Sequence, residues 1–246
     1  MLKKILLIFA VILLVAAGGF VVWGLTPLGP SPEALTAMQS GVDVTVTTEG
    51  NSVLFLPADT TPTTGFIFYP GGRVDYRSYA PVLRQIAAQG YTVALVRMPL
   101  SLAVLGVNRA ADVIAAHPEI QTWAIGGHSL GGSMAASYAY NHPDQIQGLV
   151  LWASYPASSN DLSGYKLHVL SITGNQDGVL DRENFESTRS LLPPDTQWAV
   201  IEGGNHAGFG SYGAQPGDNP ANISPEEQAQ ETANLTTTFL HGLPGE

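Results

Sequence analysis

The stretch Thr122-Trp123-Ala124-Ile125-Gly126-Gly127-His128-Ser129-Leu130-Gly131-Gly132 decides the fold. Residues 122–125 are a short apolar run that predicts a buried strand. Residues 130–140 are rich in Gly, Ala and Ser and predict a helix able to lie close against a sheet. Between them stands Gly127-x-Ser129-x-Gly131 on a tight strand-to-helix turn. A Cβ two residues before or after the serine would collide with neighbouring backbone, which is why glycine stands there. Such a turn lifts the serine Oγ above the carboxyl edge of the sheet. It also sets the unpaired N–H groups of the following helix, with its positive dipole end, beside any reacting carbonyl.

Working outward, the neighbouring chain alternates short apolar runs with helical stretches, the pattern of a parallel sheet built from βαβ units. The runs are 66–69, 92–96, 122–125, 149–152, 169–173 and 198–201. Before them, 42–47 and 53–56 flank Gly50-Asn51 and predict an antiparallel hairpin at one sheet edge. Ser78 is a candidate cap for a helix with Pro81 in its first turn, ending near Gly90. Val104, Val107, Ala111, Ile114 and Ala115 recur at helical spacing until His117-Pro118 stops them. Asp181 is a candidate cap for 182–191, and Ser224-Pro225-Glu226-Glu227 offers a capping box for a last helix reaching about Leu240. The expected fold class is α/β, with a mostly parallel eight-stranded sheet and helices on both faces.

A serine hydroxyl needs a base, and the base needs an acid that orients it. Asp177 follows the run 169–173 in Gly174-Asn175-Gln176-Asp177, and His206 follows 198–201 in Gly203-Gly204-Asn205-His206. Both therefore fall on the sheet edge that carries Ser129. Asp181 lies after the same strand as Asp177 but reads better as a helix cap. His117 and His142 precede prolines at helix ends, His168 opens a strand, His241 lies near the chain end, and His128 is a variable position of the turn. Donors for a developing oxyanion are expected from the Leu130 N–H and from Tyr69-Pro70-Gly71-Gly72-Arg73, through either Gly72 or Arg73. Arg73 and Tyr76 are candidates for touching substrate. No H-E-x-x-H or other spaced His/Asp ligand set is present, so no metal is expected.

These motifs carry a resemblance. Residues from Gly65 to about His241 resemble the α/β-hydrolase superfamily, and are most similar to its small, dienelactone-hydrolase-like branch. The shared elements are Tyr-Pro-Gly-Gly at 69–72, Gly-His-Ser-Leu-Gly-Gly at 127–132, Gly-Asn-Gln-Asp at 174–177 and Gly-Gly-Asn-His at 203–206. The resemblance implies the α/β-hydrolase fold, a Ser129–His206–Asp177 triad in the family's chain order, the oxyanion hole, and cofactor-free hydrolysis of carboxylic esters. Dienelactone hydrolases proper use a cysteine nucleophile where this chain has serine, so lactone specificity does not carry over. Many relatives insert a cap domain where this chain has only 153–165, too short for one. An open pocket is expected, walled by Tyr155, Phe209 and Tyr212 unless those rings pack locally. Hydrolysis of an amide, thioester or polyester, and a non-catalytic binding protein on the same fold, are the competing functions.

Composition limits the partners. A formal charge of −10 argues against nucleic acid, which calls for clustered Lys and Arg. The absence of cysteine removes disulfides, thiolate metal sites and a cysteine nucleophile together. Lys3 and Lys4 precede an apolar run to about Leu25, and no charge returns until Glu33. That run predicts either a retained membrane anchor with an extracytoplasmic catalytic domain or a signal cleaved near Val15-Ala16-Ala17 and a secreted product. The expected organisation is 1–25 as anchor or signal, 26–40 as a linker with three prolines, and 41–246 as the hydrolase domain.

Overall fold

The computed structural model describes residues 2–58 and 60–244. Eight strands form one sheet: β1 (Val44–Glu49), β2 (Ser52–Pro57), β3 (Thr64–Tyr69), β4 (Thr92–Val96), β5 (Thr122–His128), β6 (Gly148–Trp152), β7 (His168–Gly174) and β8 (Gln197–Ile201). Their spatial order is β1-β2-β4-β3-β5-β6-β7-β8. β1 pairs antiparallel with β2, and β2 antiparallel with β4; every later pairing is parallel. The β1–β2 turn runs through Gly50 at φ 53°, a left-handed value that glycine adopts without steric cost.

Strands β3 to β6 are buried on both faces, which explains their unbroken apolar runs. Alternation along them sorts two cores. Phe66, Phe68, Val93, Leu95, Val150 and Trp152 face helices α3 (Ala80–Ala87) and α7 (Pro225–His241). Ile67, Tyr69, Ala94, Ile125, Leu149 and Leu151 face α4 (Arg109–Ala116) and α5 (Leu130–Asn141). Helix α6 (Arg182–Thr188) sets Phe185 edge-on against Trp198 of β8, with ring centroids 5.8 Å apart. The fold is that of the α/β hydrolases, and the β6–β7 connection carries no helix and no cap domain.

Two local expectations are corrected. Ser78 caps nothing: Asp75 accepts the Arg77 N–H at 3.0 Å and starts a 3-10 turn, Tyr76–Tyr79, that runs into α3. The periodic stretch from Val104 is not one helix, because Ala103–Leu105 is a separate 3-10 turn and α4 begins only at Arg109. Buried Tyr69 takes over that start. Its hydroxyl donates to the Val107 carbonyl at 2.5 Å and accepts the Ala110 N–H at 3.0 Å, so tertiary contact overrides periodicity. Elsewhere Asp181 caps α6 through the Asn184 N–H at 3.0 Å, and Ser224 with Glu227 forms the expected capping box on α7.

The N-terminal helix α1 (Leu2–Leu25) is 24 residues long and exposed at every described position except Gly24. It is long and apolar enough to cross a membrane. Residues 26–40 are docked on the domain. They hold the short helix α2 (Pro32–Ala37) with fully buried Ala34, and Leu28 forms a parallel bridge with Val74.

Candidate active site

The nucleophile candidate is positioned by backbone sterics. Ser129 has φ 51° and ψ −123°, a strained conformation for a residue with a Cβ. Its N–H donates to the Trp152 carbonyl at 3.0 Å, and its own carbonyl accepts the Ser154 hydroxyl at 2.7 Å. The flanking glycines are obligatory: a Cβ on Gly127 would lie 2.6 Å from the Tyr69 carbonyl oxygen, and one on Gly131 only 2.1 Å from it. The closeness of β3, β5 and the first turn of α5 therefore requires glycine at both places.

Asp177 and His206 meet under the same edge. His206 Nδ1 lies 2.8 Å from Asp177 Oδ2, and both side chains are almost wholly buried. Asp177 Oδ1 accepts the N–H groups of Val179 and Leu180, each at 2.8 Å. Burial by itself would raise the Asp177 carboxyl, but the His206 hydrogen bond and charge and the two backbone donors outweigh it. The net position is below the usual carboxylate range. An ionised carboxylate can only accept, so the proton sits on His206 Nδ1 and Nε2 is left basic. That Nε2 is buried and has no hydrogen-bond partner among the described residues. Ser129, Leu130, Ser154, Tyr155, Leu180 and His206 line one cleft of about 240 Å³.

Of the two donor candidates in the loop after β3, Arg73 has its N–H engaged elsewhere. The Arg73 N–H is given to the Ser101 carbonyl at 2.8 Å, which removes it from the expected oxyanion site. The Gly71 N–H is given to the Tyr79 hydroxyl at 3.0 Å. Gly72 remains with no hydrogen bond to its N–H among the described residues. It lies against Leu130, since a Cβ on it would be 3.1 Å from Leu130 Cδ2. The Leu130 N–H, first in α5, has no intrahelical acceptor either.

Three aromatic residues expected around the substrate are placed elsewhere. Phe209 is fully buried, stacked on His128 at 5.6 Å and on Trp152 at 6.2 Å. Tyr212 is buried and donates its hydroxyl to Gln215 at 2.9 Å. Tyr76 is half-buried against the core, with the Arg97 guanidinium 6.0 Å from its ring centroid. Tyr155 does line the cleft.

Four residues that the sequence reading passed over hold the site together. His128 is buried beneath His206, with ring centroids 4.4 Å apart, and its Nδ1 lies 2.8 Å from the Tyr79 hydroxyl. Burial, with the neighbouring His206 charge second, pushes His128 far below the ordinary histidine value, so it is neutral. Burial likewise keeps the Tyr79 phenol protonated. Tyr79 thus links the Gly71 N–H to His128. Carrying the β5 alternation Ala124, Gly126 one step further places His128 on the α3 face, a signal the sequence did contain. Gln228 of α7 accepts the Asn205 N–H at 3.0 Å and donates to the Asn205 carbonyl at 2.7 Å, pinning the residue before His206. Asp218 accepts the N–H groups of Gly178 at 3.0 Å and Ala207 at 2.8 Å, tying the Asp177 loop to the His206 loop. No local pattern marks Gln228 or Asp218.

A family model described as the alpha/beta hydrolase family matches residues 65–230, which span the elbow serine and both partner loops. The chain belongs to the alpha/beta hydrolase family. Solved structures of this fold include a dienelactone hydrolase from Anabaena variabilis, 18% identical, with TM-score 0.62 and coverage of 82% of this chain and 99% of that one. The esterase domain of a Rhodothermus marinus protein is 13% identical, with TM-score 0.62 and coverage of 82% and 99%. Carboxyl esterase 2 from the mycorrhizal fungus Tuber melanosporum is 14% identical, with TM-score 0.59 and coverage of 83% and 89%. Among curated proteins no sequence match is found. At these identities the likeness of this alpha/beta hydrolase to solved structures is one of fold.

Proposed function

We propose that this alpha/beta hydrolase is a serine hydrolase of carboxylic esters with short to medium acyl groups, tethered to a membrane by α1. The reading rests on the buried His206–Asp177 pair, 2.8 Å apart, opening onto the cleft lined by strained Ser129. His206 Nε2 takes the Ser129 proton as Oγ attacks the ester carbonyl. The tetrahedral oxyanion accepts from the N–H groups of Leu130 and Gly72. His206 then passes the proton to the departing alkoxide, leaving an acyl-enzyme on Ser129. Water, deprotonated by His206, releases the acid and restores the serine. Asp177 stays ionised throughout and stabilises the imidazolium.

The cleft is small and has no cap over it, which favours short acyl groups. The experiment is covalent labelling of Ser129 by a fluorophosphonate probe, together with rates on a p-nitrophenyl ester series. Ser129→Ala should abolish labelling and lower kcat by about 10⁴-fold, with the fold retained. Undiminished labelling or a tenth of the activity in that variant would remove Ser129 from the mechanism.

A further inference from the structure

The end of α1 is clamped onto the loop that carries the oxyanion donor. Gly24 is buried against Leu100: a Cβ there would lie 2.7 Å from Leu100 Cβ and 3.1 Å from its carbonyl oxygen. The Arg73 guanidinium stacks 4.4 Å from the Trp23 ring centroid and donates to the Thr26 carbonyl. The Leu28 N–H donates to the Arg73 carbonyl at 2.8 Å, and Leu28 in turn accepts the Asp75 N–H at 2.9 Å. The end of the anchor, through Trp23, and the residues just after it, Thr26 and Leu28, therefore hold 73–75 next to Gly72. The domain cannot swing freely below a flexible tether.

The loop 99–105 completes this arrangement. It follows β4, which runs parallel to β3, so it emerges at the same sheet edge as the cleft. Leu100 and Ser101 both hold left-handed φ values, 50° and 55°, a costly conformation for residues with a Cβ. Contact with Gly24 and the Arg73 N–H on the Ser101 carbonyl hold that shape. Three and four residues beyond Ser101, Val104 and Leu105 stand 53% and 50% exposed, apolar side chains with no cover. Helix α1 is about 36 Å long at 1.5 Å per residue, against about 30 Å of hydrocarbon. With Lys3 and Lys4 at the opposite surface, Trp23 sits at the level of the lipid headgroups, where tryptophan is favoured. Leu100 touches the neighbouring Gly24, so 99–105 lies at that same level.

We propose that 99–105 is a membrane-facing platform whose Val104 and Leu105 insert into the surface of the bilayer that α1 spans, setting the cleft beside that surface. The partner is a lipid surface, not a protein. The consequence for substrate rests on the esterase reading: esters concentrated at the bilayer surface are hydrolysed in preference to equally reactive ones free in water. The strained backbone at Leu100 and Ser101 holds the platform rigid relative to Gly72.

Because the chain has no cysteine, single reporters can be introduced without background. Full-length Val104→Cys and Leu105→Cys, each carrying a polarity-sensitive nitrobenzoxadiazole label, would be reconstituted in phosphatidylcholine vesicles with and without lipid brominated high in its acyl chain. A Val200→Cys control places the same label on exposed β8. The labels at 104 and 105 should lose most of their fluorescence to brominated lipid and the label at 200 almost none. Equal, weak quenching at all three positions would overturn the proposal. As a second measurement, Leu105→Asp should lower hydrolysis of a vesicle-borne ester several-fold while leaving a soluble p-nitrophenyl ester unchanged; equal rates on both would also overturn it. Quenching needs no turnover, so an inactive protein with quenched labels refutes the esterase reading and leaves the platform standing.

Discussion

The elbow around Ser129 and the loop around His206 are held by different balances of backbone and side chain. At the elbow the main constraint is backbone against backbone, with the Ser154 hydroxyl on the Ser129 carbonyl as the added side-chain bond. The Gly127 and Gly131 positions leave no room for a methyl group, and strand β5 passes straight into helix α5. The His206 loop has backbone bonds at Gly203 and Gly204, which accept the Asn222 N–H at 2.7 Å and the Gln176 N–H at 2.8 Å, but around His206 side chains are added to them. Asn205, His206 and Ala207 are each bonded by a side chain from elsewhere: Gln228 on α7, Asp177 from the neighbouring loop and Asp218 in the following segment. A nucleophile must be placed against a helix terminus, which local sterics can do. A base must be placed against both an acid and the nucleophile, which only long-range bonds achieve.

The comparison breaks most sharply at the acid. Asp177→Asn should lower kcat by about 10⁴-fold, because the amide holds His206 in the wrong tautomer. Asp181→Asn should be nearly silent, since asparagine caps α6 as well as aspartate does. Steady-state rates of the two variants decide it, and the reverse pattern would move the acid to Asp181. The next largest effect tests the elbow. Gly131→Ala drives a Cβ to 2.1 Å from the Tyr69 carbonyl and should cost about 3 kcal/mol in denaturant unfolding. Gly213→Ala, in open space at φ 81°, should cost about 1 kcal/mol. Equal losses would show that crowding at the elbow is not what demands glycine.

Gln228→Ala sharpens the other half. It removes both bonds to Asn205 and should cost about 1–3 kcal/mol, with kcat falling more than KM rises as His206 loses its position. A stable variant with unchanged kcat would show that the loop holds itself. The smallest effect is a pH slope. Below about pH 6.5 the unfolded chain binds a proton at residue 128 that buried neutral His128 refuses. Its contribution to stability is therefore complete above that pH and declines as pH falls. His128→Asn keeps an acceptor for Tyr79 and should flatten the fall in Tm between pH 7 and 5. Parallel curves for variant and wild type would remove His128 as the source.

Strand alternation and glycine placement made most of the architecture legible. Six apolar runs and one hairpin gave eight strands because a buried parallel strand can hardly be written any other way. The elbow motif, the later Asp and His loops and the missing cap were local patterns, readable before any contact was known. Helix limits failed where a distant group intervened, as Tyr69 did at the start of α4. Aromatic rings after His206 were equally ambiguous, because a Phe in a loop does not declare which way it turns.

By itself, the sequence determined the order of elements, the elbow and the set of residues that could meet at one sheet edge, since those follow from backbone sterics and periodicity within a few residues. Tertiary structure alone decided that the Arg73 N–H is taken and that the Gly72 N–H has no partner among the described residues. It alone put Phe209 and Tyr212 into the core, Gln228 and Asp218 under the base, and the end of α1 against Leu100. Each of those depends on which distant atoms satisfy a buried polar group or cover an apolar surface, and such partners, separated by tens of residues, leave no period in the chain.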